Sequence, residues 1–316
     1  MSELYSGARA VIHEVEKAVV GKSDIIVKIM AAIVAEGHIL IEDMPGVGKT
    51  TMANAFSKAM GIMHNRVQFT PDIMPADLTG FSIYQKETGQ FQYKPGALMC
   101  NMFLADEINR TSPKTQSALL EVMEERQITV DGVTRKIGNP FVVIATENPE
   151  GSAGTQLLPE SQLDRFMICV SMGYPTVKEE VEILKRRQKG NPIEHVDNIL
   201  SAEDIICMQQ EVRQVYLKDE MYEYIAILSE KTRNHEMFAS GMSPRGTVAL
   251  ASMSRANAWM AGRNFVIPED VREVFESIAI HRVRLSTKAK VGHVQKSDVL
   301  NEILRQVKEP LIRRQR

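Results

Sequence analysis

The sequence predicts an α/β domain over residues 1–175, built on a parallel five-stranded sheet with helices on both faces, followed by an all-helical domain over 176–316. Three observations predict it. Five short apolar runs alternate with helical patterns in the first half, the signature of a parallel sheet whose strands are joined by crossover helices. Two pairs of β-type runs flank tight turns and read as inserted hairpins. Beyond Tyr174-Pro175 only helical periodicity is visible.

Residues 4–19 carry Ala8, Val11, Ile12, Val15 and Ala18 at helical spacing,. Gly21 interrupts them, and Ser23-Asp24 offers a cap for a second helix reaching residue 36,. The run 38–41 (HILI) is a buried strand, followed by a Pro/Gly turn and a helix over 49–60. Further strands are expected at 66–70, 102–105, 141–146 and 166–171, with a helix at 114–126. One hairpin pairs 82–85 with 90–94 around Glu87-Thr88-Gly89. The other pairs 127–130 with 133–137 around Asp131-Gly132, a two-residue turn that favours positive φ,. Helices at 177–189, 202–215, 219–234, 244–262, 268–280 and 296–307 complete the chain, broken by Gly190-Asn191-Pro192 and by 241–243,.

Composition narrows the function classes. The chain has 316 residues, 44% hydrophobic and 25% charged, with a formal net charge of -2. That balance gives no global attraction to nucleic acid or an anionic membrane. The basic tail Arg313, Arg314, Arg316 reads first as a frayed helix end,. Cys100, Cys169 and Cys207 lack any CxxC spacing. They read as small apolar fillers in a reducing compartment. Glu3 stands where a signal peptide would be basic, and residues 25–41 are interrupted by Lys28, Glu36 and His38. A cytoplasmic protein without a membrane span is expected.

The chemistry is concentrated at three strand ends. Pro45-Gly46-Val47-Gly48-Lys49-Thr50-Thr51 lies between a buried strand and a helix, the context of a phosphate-binding loop. Glycines let backbone N–H groups turn inward, and the helix N-terminus favours negative charge. Lys49 would reach the β/γ-phosphates and the Thr50 hydroxyl would ligate Mg²⁺. The strict GxxxxGK[ST] pattern is not met, because Asp43 holds its first glycine position. Asp tolerates left-handed backbone, so the loop stays feasible. The plainer reading is a glycine-rich turn capping a helix.

The strand Met102-Phe103-Leu104-Ala105 ends in Asp106-Glu107. Asp106 could hold a metal-bound water and Glu107 could polarise the attacking water; two solvated acids at a strand end are the plain alternative. The strand at 141–146 ends in Glu147-Asn148-Pro149. Asn148 could contact the water or the γ-phosphate, because open α/β sheets bind ligands at that edge. The residues alone fit an ordinary Asn-Pro turn equally well.

With these motifs in place, the chain resembles AAA+ ATPases, whose Walker A, Walker B and sensor 1 elements look like the three strand ends. It is similar to the MoxR family in particular, through residues 37–50 (GHILIEDMPGVGKT), 67–80 (VQFTPDIMPADLTG) and 104–127 (LADEINRTSPKTQSALLEVMEERQ). Residues 141–149 (FVVIATENP), 158–166 (LPESQLDRF) and 243–246 (SPRG) match as well. The resemblance implies an AAA+ P-loop core with two inserted β-hairpins and an all-α lid. It also absorbs Asp43, which is common in such loops. Arg165 resembles an arginine finger acting on the nucleotide of an adjacent subunit, and Arg245 a sensor 2 residue. Val20 and Gly21 lie where relatives contact adenine. Residues 96–99 and 153–156 depart from the family wording, outside the phosphate chemistry.

The implied function is a chaperone-like, ring-forming ATPase, a homo-oligomer and by resemblance a hexamer, using ATP and Mg²⁺ to remodel a client protein. Relatives often work with a separate protein carrying a von Willebrand factor A domain. A nucleic-acid motor is the second reading, but Lys86, Lys94, Arg135 and Lys136 are a thin basic supply for its hairpins,. A magnesium-chelatase-like ATPase subunit is the third. A guanine-reading Asn-Lys-x-Asp run does not occur.

Overall fold

The structure is a computed structural model that describes residues 3–44, 46–147 and 158–310. Two amphipathic helices open it, α1 (Glu3–Ala18) and α2 (Ser23–Val34). β1 (Ile39–Glu42) leads into α3 (Lys49–Ala59), and β2 (His64–Gln68) into the short α4 (Pro75–Thr79). β3 (Gly80–Gln85) and β4 (Gln90–Pro95) form the first hairpin. β5 (Met102–Asp106) leads through a 3₁₀ turn into α5 (Pro113–Glu125). β6 (Gln127–Val130) and β7 (Val133–Lys136) form the second hairpin, followed by β8 (Val142–Glu147), α6 (Glu160–Leu163) and β9 (Ile168–Val170).

Among the described residues the central sheet has the order β2-β5-β8-β1-β9, and every neighbouring pair is parallel. Because strand side chains alternate, each strand feeds two cores. Ile39, Ile41, Met102, Leu104, Val142, Ile144 and Ile168 face one layer, shared with α1, α2 and α3. Leu40, Phe103, Ala105, Val143, Ala145 and Cys169 face the other, against α5. Continuous apolar runs are therefore required, and the sequence supplies them.

The chain then becomes helical: α7 (Val177–Gln188), α8 (Ala202–Gln214), α9 (Asp219–Arg233), α10 (Pro244–Met260) and α11 (Pro268–Ala279), then α12 (Thr287–Val291) and α13 (Lys296–Gln306). Ser and Thr caps start several of them: Thr176, Ser201, Ser243 and Ser286 each accept a backbone N–H of the first turn,. The helical region is not purely so. A small antiparallel ribbon, β10 (Phe238–Ser240) with β11 (Arg284–Leu285), joins the end of α9 to the end of α11. Its strands are too short and too far apart in sequence to register as periodicity.

Other local expectations shift. Lys22, not Ser23-Asp24, stands at the N-cap of α2, and the Ser23 hydroxyl instead donates to Glu16. The edge strand β2 begins at His64 and ends at Gln68, two residues ahead of expectation. Cys100 and Cys169 are buried, where desolvation raises both thiols, Cys100 to about 12. Cys207 is exposed and is not a core filler. None of the helices among the described residues is long and apolar enough to cross a membrane.

Candidate functional site

The parallel order places the carboxyl ends of β1, β5 and β8 side by side, with β1 and β5 both next to β8. From β1 the chain turns through Gly46 (φ 86°) and Gly48 (φ 98°) into α3. A Cβ would meet nothing within 4 Å at Gly46 and only the Met172 methyl at 3.8 Å at Gly48. Glycine is therefore demanded by the left-handed backbone and not by crowding. Asp43 is not among the positive-φ residues, which removes the left-handed rationale for an aspartate there. Its carboxylate acts as a tie. Oδ1 accepts the Met44 N–H at 2.8 Å, and Oδ2 accepts the Gly173 N–H at 2.7 Å and the Ser171 hydroxyl at 3.2 Å. Asp43 thus joins the loop after β1 to the segment after β9.

Lys49 begins α3 and is buried, its Nζ donating to the Asp43 carbonyl at 2.9 Å. Burial pulls its pKa below the ordinary lysine value, while the charges of Asp106, Asp43, Glu107 and Glu147 pull the other way. Lys49 and the paired acids of β5 therefore share one electrostatic neighbourhood. Thr50 and Thr51 follow on the first turn of α3, both half-buried. Pro45 and Asn148 lie outside the described residues, as do Arg313, Arg314 and Arg316.

Asp106 is buried at the end of β5, with both oxygens engaged: Oδ2 by Arg66 Nη2 at 2.7 Å and Oδ1 by the Thr146 hydroxyl at 2.7 Å. That same Thr146 oxygen accepts the Glu107 N–H at 2.9 Å. Glu107 is held in left-handed backbone (φ 57°), uncommon for a non-glycine residue and a mark of local constraint. Its Oε2 accepts Gln68 Nε2 at 2.9 Å and Arg110 Nη1 at 2.8 Å. Arg66, Gln68, Arg110 and Thr146 escaped the sequence reading. The signal was present for two of them: Arg66 and Gln68 are polar residues two apart on a strand, hence on one face, and Gln68 is in register with Asp106.

Beside the glycine loop is a cavity of about 190 Å³. One wall is Gly46, Val47, Gly48 and Thr51; another is Val19 and Val20; the third comes from the helical region through Pro175, Ile183 and Arg187. Val20 is thus a wall residue of this cavity. Gly21 has φ 72°, and a Cβ there would come within 1.8 Å of the Glu179 carboxylate, so it seats the start of α7. An apolar slot running into backbone N–H groups at a helix start suits a flat heterocycle carrying phosphates. The hard oxygen donors Thr50 and Asp106 suit Mg²⁺, which takes few protein ligands when it arrives on phosphates.

Arg165 and Arg245 are brought together elsewhere. Arg165 Nη1 donates to the Leu120 carbonyl at 2.6 Å and sits 3.8 Å from Glu124 Oε2, while Arg245 Nη2 lies 2.9 Å from Glu124 Oε1. Neither lines the cavity beside Lys49.

Comparison with known proteins agrees with this architecture. Residues 38–168 match the ATPase family associated with various cellular activities (AAA), and residues 230–303 match an AAA lid domain. YeaC of Bacillus subtilis (strain 168), a protein of uncharacterised function, is 46% identical over 96% of this chain and 94% of its own. The chaperone MoxR1 of Mycobacterium tuberculosis is 35% identical over 98% of this chain and 84% of its own. MoxR of Methylorubrum extorquens is 30% identical over 94% and 92%. The crystal structure of an ATPase candidate from Cytophaga hutchinsonii superposes with a TM-score of 0.90 at 36% identity, covering 98% of this chain and 96% of its own. Two relatives at 30% identity or more over nearly the whole chain, with an AAA domain followed by an AAA lid, settle its place: the chain is a member of the MoxR family of AAA+ ATPases.

Proposed function

We propose that the chain binds MgATP at the carboxyl edge of the sheet and hydrolyses it with Glu107, as one subunit of a ring that remodels client proteins. The observation that carries this reading is the setting of Lys49, a buried ammonium at the start of α3, under the influence of Asp106 and Glu107. A triphosphate laid on Gly46, Gly48 and the first turn of α3 would add the negative charge that such a lysine needs. The cavity walled by Val20 and Thr51 would take the base, with Gly21 holding α7 against it. Thr50 and Asp106 would hold Mg²⁺, which would neutralise phosphate charge; Asp106 would turn from Arg66 to do so. Glu107 would polarise the attacking water, and Asn148 would help orient it. The division of labour between residues 1–175 and 176–316, core and lid, is part of the same reading.

Arg165 and Arg245 are reserved for the nucleotide of an adjacent subunit. Their common attachment to Glu124 and their absence from the walls of the cavity beside Lys49 support action in trans for both. A finger of this kind is worth roughly 10³–10⁵ in rate in other nucleotidases. Turnover per subunit should therefore rise with protein concentration until assembly saturates.

Protein clients are favoured over nucleic acid by the hairpins. The first exposes Tyr84 and Phe91, whose rings lie 5.3 Å apart. On the second, Arg135 stacks over the Tyr93 ring at 3.8 Å and donates to the Val130 and Val133 carbonyls, so its charge is already engaged. The relative named as a chaperone points the same way. A separate partner with a von Willebrand factor A domain remains part of the family-based proposal.

The test is turnover of wild type, Lys49→Ala and Glu107→Gln across protein concentration, with and without single-stranded DNA. Glu107→Gln should keep nucleotide affinity and lose turnover by about 10²-fold or more, since it removes the base and spares the loop. Lys49→Ala should lose affinity. Undiminished turnover in Glu107→Gln would sink the assignment of the base, and strong stimulation by DNA would move the function to a motor.

A further inference from the structure

We propose that Glu124 is a positioning residue for hydrolysis: it gathers the Arg165 and Arg245 guanidiniums at one point on the subunit surface and releases them to the phosphates of the adjacent subunit's nucleotide. This rests on the reading of Arg165 and Arg245 given above. Nothing in the motifs of the sequence singles Glu124 out; only the convergence of two distant arginines on its two oxygens does.

The charge pattern of α5 makes the contact more than a surface pair. An α-helix presents partial negative charge at its C-terminus, where cations are favoured and carboxylates are not. α5 does the reverse. It has no acid in its first turn and no base in its last, and Glu121, Glu124 and Glu125 crowd its C-terminal end. These acids and the carbonyls of the last turns together form an anionic rim; the C-cap Arg126 is turned to Glu36, and further cations come from elsewhere in the chain. Arg165 supplies one through the Leu120 carbonyl and Glu124, and Arg245 supplies another through Glu124.

Two guanidiniums side by side repel one another unless an anion lies between them. Here the supports beneath them are fixed. Asp164, adjacent to Arg165, accepts the Ser243 hydroxyl, which also caps α10 and so places Arg245. Asp164 accepts Arg282 Nε at 2.8 Å as well, and that buried guanidinium also donates to the Phe166, Met167 and Ile278 carbonyls. The backbones carrying both arginines are thereby clamped to each other, and Glu124 sets where their charged ends meet. A phosphoryl group can take that carboxylate's place, because it offers more oxygens and more charge to the same pair. Exchange is easy: Glu124 is 45% exposed, Arg165 31% and Arg245 43%, and pairs so solvated are weak,. Holding the pair ready spares the reaction the ordering of two long side chains at the moment of transfer.

The test compares steady-state turnover of the assembled protein for Glu124→Gln, Glu124→Asp, Arg165→Ala and the double variant Arg165→Ala/Glu124→Gln, with thermal melting as a check on folding. Glu124→Gln keeps the shape and removes the charge. It should lower kcat by about 5- to 20-fold with KM for ATP little changed, the pattern of a group that matters only in the transition state. Glu124→Asp, with the charge restored on a shorter arm, should recover part of the loss. Added to Arg165→Ala, the Gln substitution should cost little more, because residues acting through one another are not additive. Full turnover in Glu124→Gln beside a crippled Arg165→Ala would overturn the proposal and leave the finger standing. An equal, additive loss in the double variant would overturn it as well, since Glu124 would then act elsewhere. Full turnover in Arg165→Ala would instead remove the finger reading, and with it the ground for Glu124.

Discussion

Burial decides the ionisation of single residues in this fold, and His38 shows how. It sits between β1, β8 and α5, with Val143 N–H donating to Nδ1 at 3.0 Å and Nε2 facing the Met123 carbonyl at 3.1 Å. The ring is thus neutral and protonated on Nε2. Desolvation lowers its pKa to about 4 from an ordinary 6.5, helped by the nearby Arg126 charge and opposed by the Met123 hydrogen bond. Between those values the unfolded chain holds a proton that the folded chain refuses, so stability falls as pH drops from 6.5 toward 4 and is flat above. The loss attributable to this ring is about 3 kcal/mol at most. Urea melts between pH 7 and pH 4.5 should show the slope, and His38→Asn should remove its share. His281, also pushed well below its ordinary value by burial, keeps the remainder. Whether a given histidine is buried neutral or exposed cannot be read from a lone His before an apolar strand. The same limit hid Arg110 and Thr146, whose roles rest on contacts across strands and turns. Lys49, Asp106 and Glu107, by contrast, announced themselves through position: a strand end followed by glycines, and a strand end followed by acids.

The elements that matter most are the junctions. Gly21 joins α2 to the start of α7, and its left-handed backbone leaves room for Glu179, whose carboxylate completes the capping box with Thr176. Gly21→Ala adds a Cβ that must push Glu179 aside at a backbone angle it disfavours. It should cost about 1–2 kcal/mol in strain and lost capping. It should also weaken nucleotide affinity, because Val20 and α7 supply two walls of the cavity. Equilibrium unfolding and nucleotide titration would check both; unchanged affinity would detach Gly21 from the site. The hairpins were legible from their turns, since Asp131 and Gly132 adopt the positive φ that a two-residue connection requires,. The β10–β11 ribbon was not. Its pairing closes a loop of more than forty residues, and nothing local in either strand encodes the partner. For the exposed hairpin, Phe91→Ser should reduce client capture by a hydrolysis-blocked protein, measured by co-purification, because the aromatic pair supplies the apolar contact.

On the scale of the whole molecule, one buried guanidinium ties the lid to the end of the core. Arg282 at the end of α11 is nearly without solvent. It binds the Asp164 carboxylate and four carbonyls, and its burial lowers its pKa against the attraction of Asp164. Removing one partner of such a pair strands the other. Arg282→Leu should therefore destabilise the protein by about 3–5 kcal/mol. It should also raise protease cleavage near the Arg165 segment; a wild-type melting curve for this variant would contradict the clamp. The apolar core supports the same unity, since the cluster under β1 and β8 continues through α8 and α9 into α10, α11 and α13.

Sequence alone determined the alternation of buried strands and helices, the hairpin turns, the glycine loop and the acid pair, because each is a local pattern of burial, backbone freedom or charge at an element's end. The tertiary structure decided which strand ends meet, that Asp43 ties rather than turns, and that Arg165 and Arg245 converge on Glu124 away from Lys49. Those outcomes depend on contacts between segments far apart in the chain, where side-chain reach and electrostatics act through space and leave no period in the sequence.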